Sequence, residues 1–283
     1  MPSINQLVNY NLANSVDSRG GDINQRNLWF YGNRGSYSSG SAIWYDLSGN
    51  GHNALVSGST LVPTGSLGFV FNGLDNWLEW PAGGFTTGSC VDSGFTIQIT
   101  MQPDPADVLT SPYNTTVLFD NQIGYLGGQG FSAMYLNDGQ SGGGSPGPTQ
   151  GFQWNTLGQN NYRALYVYGN DEFISGSKNV AWSFEPQPTS TPLSGSMQWN
   201  YYIPEYQPEP YTYGNNVNFD NAITPTKQFG KKIYAATPLY NTQSFPYFYF
   251  KGIVRDILIY NRALSQEEIY KNYLALNAIN ATY

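Results

Sequence analysis

Apolar and polar residues alternate with period two in several short segments of this chain. Phe95-Thr96-Ile97-Gln98-Ile99-Thr100-Met101 and Tyr162-Arg163-Ala164-Leu165-Tyr166-Val167-Tyr168 are the clearest. Such alternation predicts strands with one face on a core and the other in water. Shorter apolar runs at Leu28–Tyr31, Phe69–Phe71, Thr116–Phe119, Phe131–Leu136, Gly151–Trp154 and Val180–Phe184 extend the same rhythm. Pro103 and Pro105 end the strand that starts at Phe95. Asn72-Gly73 and Asp75-Asn76 lie between Phe69–Phe71 and Trp77–Trp80, which predicts a hairpin.

The closing stretch breaks this period. Phe250 to Tyr260 is rich in β-branched and aromatic residues and has no proline, as in a strand covered on most of both faces. Asn261 and Arg262 interrupt it. Ser265 and Glu268 then have the spacing of a capping box, with Leu264 and Ile269 at the positions of a hydrophobic staple. Ile269, Tyr273 and Leu276 recur at helical spacing, so a short helix should lay one face on the sheets.

These segments resemble a known family. Tyr260-Asn261-Arg262-Ala263-Leu264-Ser265-Gln266-Glu267-Glu268-Ile269 is similar to the closing motif of LamG-like, concanavalin A-like domains. Trp44-Tyr45-Asp46-Leu47-Ser48-Gly49-Asn50-Gly51-His52-Asn53, and Phe69 to Glu79 after it, resemble the opening of the same family. The Phe95–Met101 strand also resembles one of its strands. The resemblance implies an all-β fold: a concanavalin A-like (LamG-type) antiparallel β-sandwich jelly roll with one short C-terminal helix and an extended N-terminal arm. It divides the chain into an arm with the first strand (1–41), the jelly roll (42–276) and a C-terminal tail (277–283). Within the jelly roll, 137–150 is a Gly/Ser/Pro loop. Residues 185–225 form a Pro/Tyr-rich elaboration, an extended loop with room for a hairpin, and 186–247 could form a subdomain.

Composition narrows the partners. Charged residues are 11% of the 283, aromatics are 16%, and the net charge is −7. Without a Lys/Arg cluster, the longest basic run being Lys231-Lys232, a phosphate backbone is a poor partner, so no nucleic acid is expected. No apolar run is long enough to cross a membrane as a helix. The lone Cys90 forbids an internal disulfide. Met1–Gly21 has neither a charged n-region nor an apolar h-region, and the expectation is a chain made and folded in a cytoplasm.

Candidate chemistry is sparse. Asp46, Asp75 and Asp120 are the carboxylates that calcium could use at a sandwich rim, as it does in relatives. They lack D-x-D-x-D spacing, and turn formation is the ordinary role of Asp beside Gly and Asn. No cofactor is expected. His52, the only histidine, has no Cys or second His with which to hold zinc. Trp199, Tyr201, Tyr202, Tyr206, Tyr211 and Tyr213, interleaved with prolines, are the candidate binding surface. Their rings could stack on sugars or fill a partner's pockets, or could cover the open edge of the sandwich.

Concanavalin A-like hydrolases resemble E-x-D-x-x-E on one strand, and that spacing is absent, so the expectation is a protein without catalytic activity. The family resemblance implies a virion structural protein: a capsid decoration, minor capsid or fibre component assembled in a host cytoplasm. Its partners would be other virion proteins and copies of itself, with host-surface glycans as a further contact. A free carbohydrate-binding lectin and a glycoside hydrolase are the alternatives.

Overall fold

The computed structural model describes residues 23–64, 68–80, 94–104, 114–120, 131–138, 149–156, 161–168, 176–186, 194–202, 211–218, 233–235 and 247–280. Cys90, Lys231-Lys232, Tyr206, residues 1–22, and most of the 137–150 loop lie outside them. In chain order the strands are β1 (Leu28–Asn33), β2 (Ile43–Trp44), β3 (Ala54–Ser57), β4 (Val62–Pro63), β5 (Phe69–Asn72), β6 (Trp77–Trp80), β7 (Phe95–Pro103), β8 (Asn114–Asp120) and β9 (Phe131–Asp138). They continue with β10 (Thr149–Thr156), β11 (Asn161–Tyr168), β12 (Lys178–Pro186), β13 (Ser194–Tyr202), β14 (Tyr211–Asn218), β15 (Ile233–Ala235), β16 (Tyr247–Tyr249) and β17 (Lys251–Tyr260). Helix α1 (Gln266–Asn280) follows, running on into the stretch assigned from sequence to a tail.

Among the described residues these strands form two sheets. One has the order β14-β13-β12-β7-β17-β5-β4, with β1 also on β17; the other has the order β11-β10-β9-β8-β15-β6-β3-β2, with β16 on β8. All pairings are antiparallel except β16 with β8. The fold is thus all-β with one C-terminal helix. The layers meet through aromatic rings: Phe30 of the first sheet stands edge-on to Trp80 of the second at 5.0 Å, and Phe69 to Trp44 at 5.3 Å. Full burial of rings this size supplies several kcal/mol of burial free energy.

β17 holds the first sheet together. One of its edges is taken by β7, while the other is shared by β5 along Lys251–Val254 and β1 along Asp256–Tyr260. A bulge at Arg255 separates the two halves. There the Arg255 guanidinium reaches Asp256 at 2.9 Å and Asn277 of α1 at 3.1 Å, tying strand to helix. Gly252, with φ +150, needs its missing side chain, because a Cβ there would lie 2.4 Å from the carbonyl oxygen of Gln102.

Two sequence expectations are corrected. β5 and β6 do not form a hairpin: β5 pairs with β4 and β17 in the first sheet, and β6 with β3 and β15 in the second. The Asn72–Asn76 connection carries the chain from one layer to the other, and the side chains of Asn72, Asp75 and Asn76 hydrogen-bond within it. The second correction concerns β7, which is not wet on its polar face. Thr96, Gln98 and Thr100 are buried: Thr96 and Gln98 bond to α1 and its approach, and Thr100 accepts from Asn179 of β12.

Those polar residues take up the backbone and side chains that the helix brings. Thr96 Oγ1 and Ser183 Oγ both accept from the Leu264 N–H, at 2.8 and 3.0 Å. Gln98 Nε2 donates to the Ile269 carbonyl and to Asn179, and Gln98 Oε1 accepts from Asn272 Nδ2 at 3.0 Å. Around this polar seam Leu28, Ala181, Leu258, Leu264, Ile269 and Leu276 form an apolar cluster beneath the helix. The staple pair Leu264 and Ile269 is therefore a buried contact set, as its spacing predicts.

Candidate recognition face

The residues from Trp44 to His52 form a clamp rather than an open site. β1 pairs with β17 along one edge only, which leaves the backbone groups of its other edge to be satisfied. Side chains at every second position do this. Asp46 Oδ1 accepts from the Tyr31 N–H at 3.1 Å, Ser48 Oγ donates to the Trp29 carbonyl at 3.2 Å, and Asn50 Nδ2 donates to the Leu28 carbonyl at 2.6 Å. His52 Nδ1 lies 2.7 Å from the same Trp29 carbonyl, which can only accept, so this nitrogen carries the proton. The imidazole also stacks on the Trp29 indole at 4.4 Å.

The Asp46 carboxylate accepts two further bonds on its own turn, from the Ser48 N–H at 2.8 Å and the His52 N–H at 2.9 Å, and one from the Ser48 hydroxyl at 2.8 Å. With the bond to Tyr31 this makes four, about the capacity of an ionised carboxylate. Asp75 sits in another turn, where Asn72 Nδ2 and Ser59 Oγ each donate to it at 2.6 Å. The Asn72 bond first, then the Ser59 bond, hold its carboxyl below the ordinary value. Asp120 lies in β8. Among the described residues no group of three His, Cys, Asp or Glu comes together.

The start of α1 is built the same way. Ser265 Oγ accepts from the Glu268 N–H at 3.3 Å, while Glu268 Oε2 accepts from the Ser265 N–H at 3.0 Å, so the capping box forms as its spacing predicts. Glu268 also takes both guanidinium arms of Arg262, and Asn24 Nδ2 at 2.7 Å. The hydrogen bond from Arg262, above all, lowers its pKa to about 2. It is held as an anion, which ill suits a general acid.

Beside this cap lies a groove of about 420 Å³ lined by Ser183, Glu185, Ala263, Leu264, Ser265, Gln266 and Glu268. Ser183 and Glu185 come from β12, and the register extends this wall across the sheet. Ala181 packs under α1 and Ser183 bonds to the Leu264 carbonyl, so odd-numbered positions of β12 are on the helix side of the sheet. Ser183 pairs with Gln198, Ala181 with Asn200, Glu185 with Ser196 and Asn179 with Tyr202. On β14, Thr212 and Asn216 pair with Asn200 and Ser196. The positions beside the groove on the helix side are thus mostly amide and hydroxyl residues.

The opposite parity is aromatic. Phe30, Ile259, Ile97, Trp182, Trp199 and Tyr213 form one row across six strands. Ile257, Ile99, Val180, Tyr201 and Tyr211 form the next. The first four residues of the first row, and the first three of the second, are buried. Of the six rings expected to form one surface, Trp199, Tyr201, Tyr211 and Tyr213 therefore stand at register positions of one parity, in line with the buried Trp182 and Val180. Tyr202 sits at the opposite parity, and Tyr206 lies outside the described residues. Within the 185–225 segment β13 and β14 pair antiparallel along eight residues, the hairpin for which the segment had room.

No protein-family model matches this sequence. No curated protein matches it either. Solved structures do. Trypanosoma rangeli sialidase, in complex with 2,3-difluorosialic acid as a covalent intermediate, is 16% identical with a TM-score of 0.59, covering 96% of this chain and 38% of the sialidase. The binding domain of botulinum neurotoxin DC in complex with rat synaptotagmin II is 12% identical with a TM-score of 0.54, covering 88% of this chain and 52% of that one. The same domain in complex with SialylT matches at 12% identity and a TM-score of 0.52. This chain spans from a little over a third to about half the length of these neighbours, and at such identities the likeness is one of fold.

That likeness also corrects the expectation of a protein without catalytic activity. The expectation rested on a missing E-x-D-x-x-E, which excludes one arrangement of hydrolase carboxylates. Enzymes of another kind, sialidases, are among the structures that resemble this chain, so the missing motif decides less than it was taken to decide.

Proposed function

We propose that this chain is a carbohydrate-recognition module of the LamG-type, concanavalin A-like class, and that it binds sugar on the helix side of β12–β14 and in the groove beside α1. One observation carries the reading: the register separates an aromatic row that continues the core from a row of Ser196, Gln198, Asn200 and Thr212 that adjoins an open polar groove. Amides and hydroxyls offer the paired donors and acceptors that vicinal sugar hydroxyls need. Tyr202, at the same parity, adds a ring for stacking. In this reading binding needs no metal ion. Two neighbouring structures are complexes with sialic acid and with SialylT, which supports carbohydrate as the ligand. A glycan array probed with the full chain tests it. Bound glycans are expected, with the signal lost in a Gln198→Ala/Asn200→Ala double variant that keeps the wild-type melting temperature; an array without signal overturns the reading.

The two family-like motifs favour a second reading, in which the module is a structural component of a virion and its partners include particle proteins and further copies of itself. They are the Trp44–His52 clamp, which resembles the opening of LamG-like domains in viral structural proteins, and the Tyr260–Ile269 strand-to-helix junction, which resembles the closing segment of LamG-like domains generally. Mass spectrometry of purified particles from the source tests it, since a structural component is present in fixed stoichiometry and a free lectin is not.

A further inference from the structure

The electrostatics of the groove narrow the class of sugar. This step rests on the recognition reading above. We infer that the groove beside α1 takes uncharged, hydroxyl-rich sugars and discriminates against sugars that carry a carboxylate.

A sugar carboxylate is bound well where a guanidinium or ammonium can meet it. Among the described residues none lines this groove, and the charged ones there are Glu185 and Glu268. Arg262, the cation nearest in the chain, has four of its five N–H donors engaged. Its Nε donates to the Arg26 carbonyl, Nη1 to the Ala263 carbonyl and Glu268, and Nη2 to Glu268. Lys271, on the next turn of α1, pairs with Glu267 at 3.0 Å.

The positive end of the α1 macrodipole is the one feature that favours an anion there. It amounts to roughly half a unit charge. Glu267 and Glu268 already stand in the first turn, and Glu268 and Ser265 cap each other's N–H groups. Arg262 and Lys271 offset the charges of Glu268 and Glu267, so the carboxylate of the exposed Glu185 outweighs what remains of the dipole. Ser183, Ser265 and Gln266 supply the neutral polar atoms of the lining. The sialylated ligands named for neighbouring folds are thus not the class that this groove suits.

The test is an array of matched oligosaccharides with and without a terminal sialic acid, read at low and at physiological salt. The neutral member of each bound pair is expected to give about tenfold the apparent affinity of its sialylated partner at low salt, with the ratio shrinking as salt rises. Glu185→Gln, an exposed substitution, is expected to bring the ratio towards one. Sialylated members that bind as tightly as the neutral ones, or a ratio unmoved by Glu185→Gln, overturn this inference and leave the recognition reading standing. An array with no bound member overturns both.

Discussion

Arg262 Nη1 and Nη2 donate to the two carboxylate oxygens of Glu268 at 2.8 and 2.6 Å, joining the end of β17 to the first turn of α1. The Glu268 side chain is 30% exposed. Lowering its pKa from 4.5 to about 2 corresponds to about 3 kcal/mol, which solvent screening reduces to about 1–2 kcal/mol. Because the folded-state pKa is depressed, this stability is present above pH 4.5 and is lost as pH falls through about 2. Glu268→Gln is therefore expected to melt lower than wild type at pH 7, with the gap closing below pH 3. Thermal unfolding at several pH values checks this, and a gap that stays constant contradicts the assignment.

Asn272 is the buried knot between helix and sheet. Its Nδ2 donates to Gln98 Oε1 and to the Tyr260 hydroxyl, and its Oδ1 accepts from the Asn24 N–H. Removing it strands two buried polar groups, Gln98 Oε1 and the Tyr260 hydroxyl, and the half-buried Asn24 N–H. Asn272→Ala is expected to destabilise by about 2–4 kcal/mol. Lys271→Ala, one residue away and exposed, should cost well under 1 kcal/mol. Urea unfolding of the two variants gives the comparison.

Asp46 makes a sharper case, because its four accepted bonds close its own turn and tie that turn to the Tyr31 N–H of β1. Asp46→Ala is expected to cost about 2–4 kcal/mol, and Asp46→Asn less, since the amide keeps one acceptor oxygen. If the carboxylate instead held a cation, a chelator would lower the melting temperature of wild type but not of Asp46→Ala. The expected result is no such difference.

Local chemistry was legible where it acts over a few residues. Ser265 with Glu268, Leu264 with Ile269, and the pinned turn after Asp46 follow from spacing alone. What failed was pairing at long range. The covering of Thr96 and Gln98 depends on a helix and its approach more than 160 residues later in the chain, and nothing in their alternation distinguishes water from helix as their partner. The prolines misled in another way. Those at 188, 192, 204, 208 and 210 lie between β12, β13 and β14, and Pro186 ends β12, so they bracket strands instead of preventing them. Once β13 is a strand, its aromatic residues cannot all share a face. On the reading proposed above, the surface is the amides between the rings.

That division gives the last prediction. Trp199 stands in register between Trp182, which is fully buried, and Tyr213. If its row continues the inter-layer core, Trp199→Ala removes core volume and is expected to cost about 3–5 kcal/mol. Gln198→Ala, one position along on the helix side, should cost under 1 kcal/mol. Glycan binding should respond in the opposite sense: it falls in Gln198→Ala and, measured well below the melting point, persists in a milder Trp199→Phe variant. Unfolding and binding measured on the same samples separate the two faces. If Trp199→Phe abolishes binding while the melting temperature is unchanged, the rings are the sugar-binding surface after all and the polar face is only scaffold.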